Sequence, residues 1–259
     1  MSIIDSCLDL YRGESYYVAY PARPLPQDYW EAKKDPDGKV RDIEAERDQR
    51  KEDVRYIADY VNARAPGRVL DIGFGLGELL EQLTGKNECF GLDPSEKAVE
   101  VARQWCSANL RHGVLEKGTF PAGMFDVVTA NHVIEHVDEP IPFVETIFEI
   151  LKPGGDFICG TPNFACAAAR VYGDRFRLLH DPTHVSLFSD DSLVRLLRDK
   201  GFRIEMVEYP YFGTRFATRE TFDSMVRADA DVSPAFWGSF VTVFARKPER
   251  PKLSQGGSA

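Results

Sequence analysis

The chain has 259 residues, enough for one large α/β domain with appendages, and 43% of them are hydrophobic, so a sizeable core is available. Its formal net charge of −9 weighs against nonspecific binding to nucleic acid or to anionic membranes. Five scattered cysteines without a CxxC pair fit reduced thiols better than a disulfide frame or a zinc site. The N-terminus turns polar within a few residues, and no run approaches the roughly 18 apolar residues of a membrane helix, so a cytoplasmic location is expected.

Residues 1–50 read as an N-terminal arm. Its first thirty residues are rich in tyrosine and proline (Tyr11, Tyr16, Tyr17, Tyr20, Pro24, Pro26, Tyr29, Trp30) and favour neither a clean helix nor a clean strand. They form either a segment packed on the main domain or a lid whose aromatics close over a substrate. Asp35-Pro36-Asp37-Gly38 is a turn signal. From Val40 to Arg64 the pattern is helical, with Val54, Ile57, Ala58 and Val61 as its apolar stripe.

Arg68 to Ile72 is a short buried strand that runs into Gly73-Phe74-Gly75-Leu76-Gly77, and helical residues follow from Glu78. A strand, a glycine turn and a helix start make a nucleotide-sized site. The third glycine comes one place earlier than in a dinucleotide fingerprint, and Glu78 stands where that glycine belongs. An acid at the helix mouth repels a pyrophosphate, so the loop is expected to hold a nucleoside without one. Strands are predicted at 88–92, 125–130 and from 156, and helices at 95–109 and 138–151, the second stopped by Lys152-Pro153-Gly154-Gly155. This alternation predicts a doubly wound, mostly parallel sheet with helices on both faces and ligands beyond the carboxyl ends of the strands. Late strands at 202–209 and 240–246 follow an amphipathic helix at 189–200. Residues 210–238 read as an inserted segment over the active face, and 248–259 as a disordered polar tail. The main domain spans residues 51–247.

Asp93 ends the second strand, where an acid can accept both ribose hydroxyls; a helix cap before Ser95 is the alternative. Asp71, at the end of the first strand, braces the glycine turn or meets a ligand ammonium.

Taken together, Val69 to Gly77, Gly91-Leu92-Asp93-Pro94-Ser95, Phe125-Asp126-Val127-Val128, His132-Val133-Ile134-Glu135-His136-Val137 and Leu151-Lys152-Pro153-Gly154-Gly155 resemble class I S-adenosylmethionine-dependent methyltransferases. The run from Thr161 through His180-Asp181-Pro182-Thr183-His184 to Ser189 is similar to the small-molecule branch, with its ubiquinone-type, natural-product and sugar methyltransferases. The resemblance implies a Rossmann-like fold, S-adenosylmethionine as donor and S-adenosylhomocysteine as product. It implies contacts to the methionine part from Asp71, Gly73, Gly75 and Gly77, to the ribose from Asp93, and to the adenine from Leu92 and Pro94. The acid that often holds the adenine amine is missing where Val114 and Leu115 stand, leaving Glu116 as a substitute. Asn131 and His132 are placed near the transferred methyl.

A hydroxyl acceptor must lose a proton, and histidine suits that task near neutral pH. His132 is the first choice of base, with His184 and His180 as rivals; these two line the substrate pocket or cap the following region. His112 reads as a surface loop residue. His132 and His136 are spaced to share one helix face with Glu135 between them, but the resemblance implies that this pattern works without metal. Tyr16, Tyr17, Tyr172, Arg175, Tyr211 and Arg215 are the expected substrate contacts, and Arg175 and Arg177 would pair an anionic substrate. The acceptor is expected to be a small molecule methylated at oxygen, with nitrogen or carbon as alternatives. A nucleic-acid acceptor is disfavoured because Asn131-His132 replaces a base-handling Asn-Pro-Pro-Tyr motif. A noncatalytic cofactor-binding subunit and an NAD-dependent oxidoreductase are the rival readings; the glycine spacing speaks against the latter.

Overall fold

The computed structural model describes residues 2–11, 13, 15–21 and 46–249. The expectations for Pro24, Pro26, Tyr29, Trp30, the turn at Asp35, the helical start at Val40 and the tail from residue 250 lie outside them. Along the chain run helix α1 (Ile3–Leu8), strand β1 (Val18–Ala19), helices α2 (Arg47–Asp53) and α3 (Arg55–Asn62), strand β2 (Arg68–Ile72) and helix α4 (Glu78–Leu83). Strand β3 (Glu88–Asp93), helix α5 (Glu96–Ala102), strands β4 (Asn109–His112) and β5 (Phe125–Asn131), helix α6 (Pro140–Ile150) and strand β6 (Leu151–Pro162) come next. Helix α7 (Ala167–Tyr172), strand β7 (Ser186–Leu187), helix α8 (Asp190–Asp199), strand β8 (Arg203–Glu208), helix α9 (Arg219–Arg227) and strand β9 (Phe240–Arg246) complete the described chain.

Seven strands form one sheet in the order β4-β3-β2-β5-β6-β9-β8, parallel from β4 to β6, with β9 antiparallel to both of its neighbours. Its central strands are buried on both faces, which is why they read as continuous apolar runs. Leu70, Val128 and Phe157 point to the face covered by Val144 and Ile147 of α6 and Leu193 and Leu197 of α8. Their neighbours Val69, Val127 and Ile158 point to the other, against Ile57 of α3, Leu80 of α4 and Ala102 of α5. The chain leaves β2 toward β3 and β4, then crosses back to lay β5 on the other side of β2. The crevice beyond the carboxyl ends of β2 and β5 is therefore the switch point where such sheets take ligands.

Several elements differ from their sequence reading. The stretch before β2 is two helices broken at Val54, not one. The helix after Asp93 stops at Ala102; Asn109, expected at its end, opens the edge strand β4, and His112, expected in a surface loop, closes that strand. Lys152 to Gly155 lie within one long β6, with a register shift between Phe125 and Val127 absorbing the irregularity. The N-terminal residues contain a capped helix: Ser2 accepts from the Asp5 amide, and the Asp5 side chain accepts from the Ser2 amide. That helix buries Ile4 and Cys7 in a satellite cluster with Phe164, Tyr172 and Phe176. The short β1 pairs with β7.

Candidate active site

The glycine loop leaves β2 with Gly73, Gly75 and Gly77 all at positive φ (66°, 56° and 85°), and Gly77 is the N-cap of α4. At Gly73 the requirement is double, because a Cβ there would also stand 2.5 Å from Cγ2 of Val133. The Gly73 amide donates to the Leu92 carbonyl (2.7 Å) and the Gly75 amide to Oδ2 of Asp93 (3.0 Å). Asp93 is buried, and its Oδ1 accepts from the Ser95 amide at 2.9 Å. Each of its oxygens thus keeps a second lone pair, and burial raises its pKa. Asp93 thus braces the glycine loop and the start of α5; it is 1% exposed and stands behind the cavity wall, not on it.

Asp71 lines a cavity of about 310 Å³ at the switch point while being only 4% exposed. Burial pushes its carboxyl up to about 7, against the lowering effect of the Thr129 hydroxyl, which donates to Oδ1 at 2.6 Å. Asp93 and Glu78 nearby add to the rise, and among the described residues no basic side chain offsets it. A cavity-facing buried acid beside a glycine loop is the complement of an ammonium group. The residues present therefore fit an amino-acid-bearing nucleoside.

Glu78 keeps its place at the mouth of α4 and lines the cavity, but it is buried and receives Nε of Arg50 at 2.6 Å, so its charge is paired there. Arg47 and Lys51 of the same α2 pair with Glu81, and the guanidinium of Arg47 lies 4.3 Å over the Trp105 ring. Helix α2 thereby roofs the glycine loop, and Arg50, Asp53, Val54 and Tyr56 line the cavity.

The opposite wall begins where β5 ends. Asn131 lines the cavity; a Cβ on Gly160 would meet its Oδ1 at 2.0 Å, so only glycine at 160 admits this side chain. His132 has φ 58°, a rare value for a residue with a Cβ, and is held there by its amide bond to the Gly160 carbonyl (2.8 Å). Its ring packs edge-on to Phe240, and Nδ1 lies 3.2 Å from Oε1 of Glu135. A carboxylate only accepts, so Nδ1 carries the hydrogen and Nε2 keeps its lone pair. Glu135 is fully buried. Burial opposes its charge, but the His132 hydrogen bond and the neighbouring His136 and His184 rings pull its carboxyl down to about 2. Thr161 Oγ1 donates to Oε2 at 2.9 Å.

The helix expected to carry His132 and His136 is not formed: Ile134–His136 is a single 3-10 turn, and His132 precedes it in the left-handed region. Both rings still line the cavity, joined through Glu135. His184 lines it as well; Nδ1 faces the Leu178 carbonyl at 2.6 Å, and burial pushes its imidazole down to about 4.

His180 does not line the cavity, and its Nε2 lies 3.2 Å from the Asp174 carbonyl. Of the expected substrate contacts Arg215 lines the cavity, tied to Glu46 (2.6 Å) and Asp53 (3.6 Å). The other five do not line it. Tyr16 donates to Asp199 of α8, Tyr17 packs on Phe188, and the Tyr172 hydroxyl is taken by the Ser224 carbonyl. Arg175 donates to the Ala230 carbonyl, and Tyr211 packs between Phe212 and Phe236. These aromatic bodies gain more by filling α8 and the satellite cluster than by facing a wet cleft. Leu92 is in the core, Pro94 is exposed with its carbonyl on His112, and Glu116 is exposed beyond β4, off the cavity wall. Arg177, Asp181, Pro210, Thr214 and Phe216 complete the wall from segments that only the fold brings together.

A parallel sheet that reverses between β2 and β5, a glycine loop at positive φ and a buried acid facing the cavity at the switch point make a Rossmann-like site of nucleoside-binding type. Residues 45–207 match a family model described as a methyltransferase domain. The chain is 32% identical over 162 residues to the ubiquinone biosynthesis O-methyltransferase of Thiobacillus denitrificans, covering 56% of this chain and 70% of that protein. It is 33% identical over 147 residues to the protein of that name from Aromatoleum aromaticum, covering 52% and 63%. A solved methyltransferase of Thermotoga maritima, described as a possible histamine N-methyltransferase, shares the fold with a TM-score of 0.57 at 23% identity, over 79% of this chain and 94% of that one. The chain belongs to the class I S-adenosylmethionine-dependent methyltransferases, and its methyl donor is S-adenosylmethionine. Among the described residues no helix is long and apolar enough to cross a membrane.

Proposed function

We propose that the chain methylates a hydroxyl oxygen of a small molecule, with His132 as the base. The observation that carries this reading is the His132–Glu135 pair facing the same cavity as Asp71 and the glycine loop. S-adenosylmethionine, when bound, supplies an electrophilic methyl group on sulfur. Asp71 would hold its ammonium, Gly73 and Gly75, which line the cavity, would give it close backbone approach, and Asp93 would take the ribose hydroxyls, while Gly77 lets the loop pack against Ala102 of α5. Glu135 fixes the His132 tautomer, so that Nε2 is free to take the acceptor's proton. Asn131 lines the wall next to it. The O-methyltransferase names of the relatives support an oxygen acceptor, and the cavity's size fits a small molecule. Five free, buried cysteines are consistent with a reducing, cytoplasmic setting.

The test is product analysis with purified chain and candidate phenols and alcohols. A mass gain of one methyl group on oxygen is expected; a gain on nitrogen or carbon would overturn the oxygen assignment. His132→Ala should lower kcat by about 10²- to 10⁴-fold while leaving S-adenosylhomocysteine affinity intact. Full activity in that variant would remove His132 from the role of base.

A further inference from the structure

Three acceptor atoms meet beside the cavity with their hydrogens turned away. His136 Nδ1 lies 3.0 Å from the Thr183 carbonyl and His184 Nδ1 lies 2.6 Å from the Leu178 carbonyl. A backbone carbonyl only accepts, so both histidines carry their hydrogen on Nδ1 and present a bare Nε2 lone pair on the other side. The Glu135 carboxylate is the third member, with Oε1 at 4.0 Å from Nε2 of His136. One ligand atom from each residue can be chosen so that all three lie within 4.8 Å of one another, and all three residues line the cavity. Two ring lone pairs and a fully buried carboxylate this close repel each other unless a proton or a metal ion is shared among them.

We infer that Glu135, His136 and His184 form a binding site for one divalent transition-metal ion of the zinc type, open on its fourth side to the cavity. The donor set decides the metal class: two imidazoles and one carboxylate suit zinc, cobalt, iron or nickel, whereas magnesium prefers oxygen donors alone. A triangle with edges no longer than 4.8 Å has its centre at most about 2.8 Å from each corner, so each ligand has up to about 0.8 Å to draw in to reach a zinc–ligand bond. Asp181 lines the same cavity, with Oδ2 3.9 Å from His184 Nε2. The second shell is built as well: the carbonyls of Thr183 and Leu178 orient the rings, and Thr161 orients Glu135. The open position would take an oxygen donor, which is the acceptor's hydroxyl if the methyl-transfer reading of this cavity holds; metal uptake itself does not depend on that reading. The set departs from the sequence expectation of a metal-free His132–Glu135–His136 run, because the expected helix does not form and His184 arrives from another segment.

The test uses the full chain, stripped with EDTA and titrated with Co²⁺ and Zn²⁺ by calorimetry, with the visible d–d bands of Co²⁺ as a second readout. One equivalent is expected to bind and to give four- or five-coordinate cobalt bands. His136→Gln and His184→Gln should each weaken binding at least about tenfold and change the spectrum, whereas His180→Gln should bind like the parent. Circular dichroism checks folding; if His184→Gln unfolds, the partly exposed His136 carries the test. A parent that takes up no stoichiometric Co²⁺ or Zn²⁺, or histidine variants that bind as tightly as the parent, overturns the inference. S-adenosylhomocysteine calorimetry on the same stripped protein keeps the two questions apart. Cofactor-product binding without metal uptake rejects the metal site alone, and metal uptake without it rejects the methyl-transfer reading of the cavity alone.

Discussion

Asp71 serves two opposed demands. Its burial makes the charge costly, with the carboxyl pushed up to about 7, while holding an ammonium requires that charge. An unfolded aspartate has a pKa of about 3.9, so between roughly pH 4 and 7 the folded state binds more protons than the unfolded one. The Asp71 contribution to stability therefore falls as pH rises through that window and stays low above it. Asp71→Asn should raise the Tm of the cofactor-free chain at pH 8 and leave it little changed near pH 4, as scanning fluorimetry would show. The same variant should bind S-adenosylhomocysteine at least about tenfold more weakly, a loss of roughly 1.4 kcal/mol. In the parent, affinity should decline as pH drops below about 7; a flat profile would take Asp71 away from the ammonium. At this scale the sequence was legible in position and blind to charge state. Asp71 and Asp93 could be picked out by their places after two strands, but the Arg50 partner of Glu78 lies 28 positions upstream and left no local trace.

At the scale of elements, legibility followed burial. Strands β2, β5 and β9 are buried along most of their length and were readable as apolar runs. Strand β4 is an edge with mostly exposed side chains, so Asn109-Leu110-Arg111-His112 shows no alternation: its first residue passed for a helix end and its last for a loop. The turn after β5 hid for another reason: its histidine spacing matches a helix, yet the positive φ of His132 breaks the helix before it begins. The glycine loop offers a sharp test of local geometry. Gly73→Ala combines a strained φ with a contact at 2.5 Å to Val133, and should cost about 1–3 kcal/mol in chemical denaturation. Adding Val133→Ala should recover part of that loss, since it relieves the contact and leaves the backbone strain. No recovery would assign the whole cost to φ.

For the whole molecule, strand–helix alternation was sufficient to place the sheet, its helices and the ligand end of β2. It could not assemble the cavity, whose walls come from α2, the turn after β5, the segment around His184 and the loop after β8. Arg215 and Glu46 are far apart in sequence and meet only because the roof and the late loop close over the same crevice. The roof itself has a consequence for traffic. Helix α2, Arg-Asp-Gln-Arg-Lys-Glu-Asp, has no apolar side chain, and it is tied to the glycine-loop helix through Arg47, Arg50 and Lys51 on Glu78 and Glu81. These pairs are partly buried and so are screened less than surface pairs, but their open sides still feel the Debye length shrink from about 10 Å at 0.1 M salt to about 3 Å at 1 M. After discounting for solvent, a total loss of about 0.5–1 kcal/mol corresponds to S-adenosylhomocysteine leaving about two- to fivefold faster in high salt. Stopped-flow displacement at 0.05 and 0.5 M NaCl would measure this, and Arg50→Gln should speed release at low salt and flatten the dependence. Ionic strength then acts as a throttle on product exit, and wherever exit limits turnover the enzyme should run faster in brine than in dilute buffer.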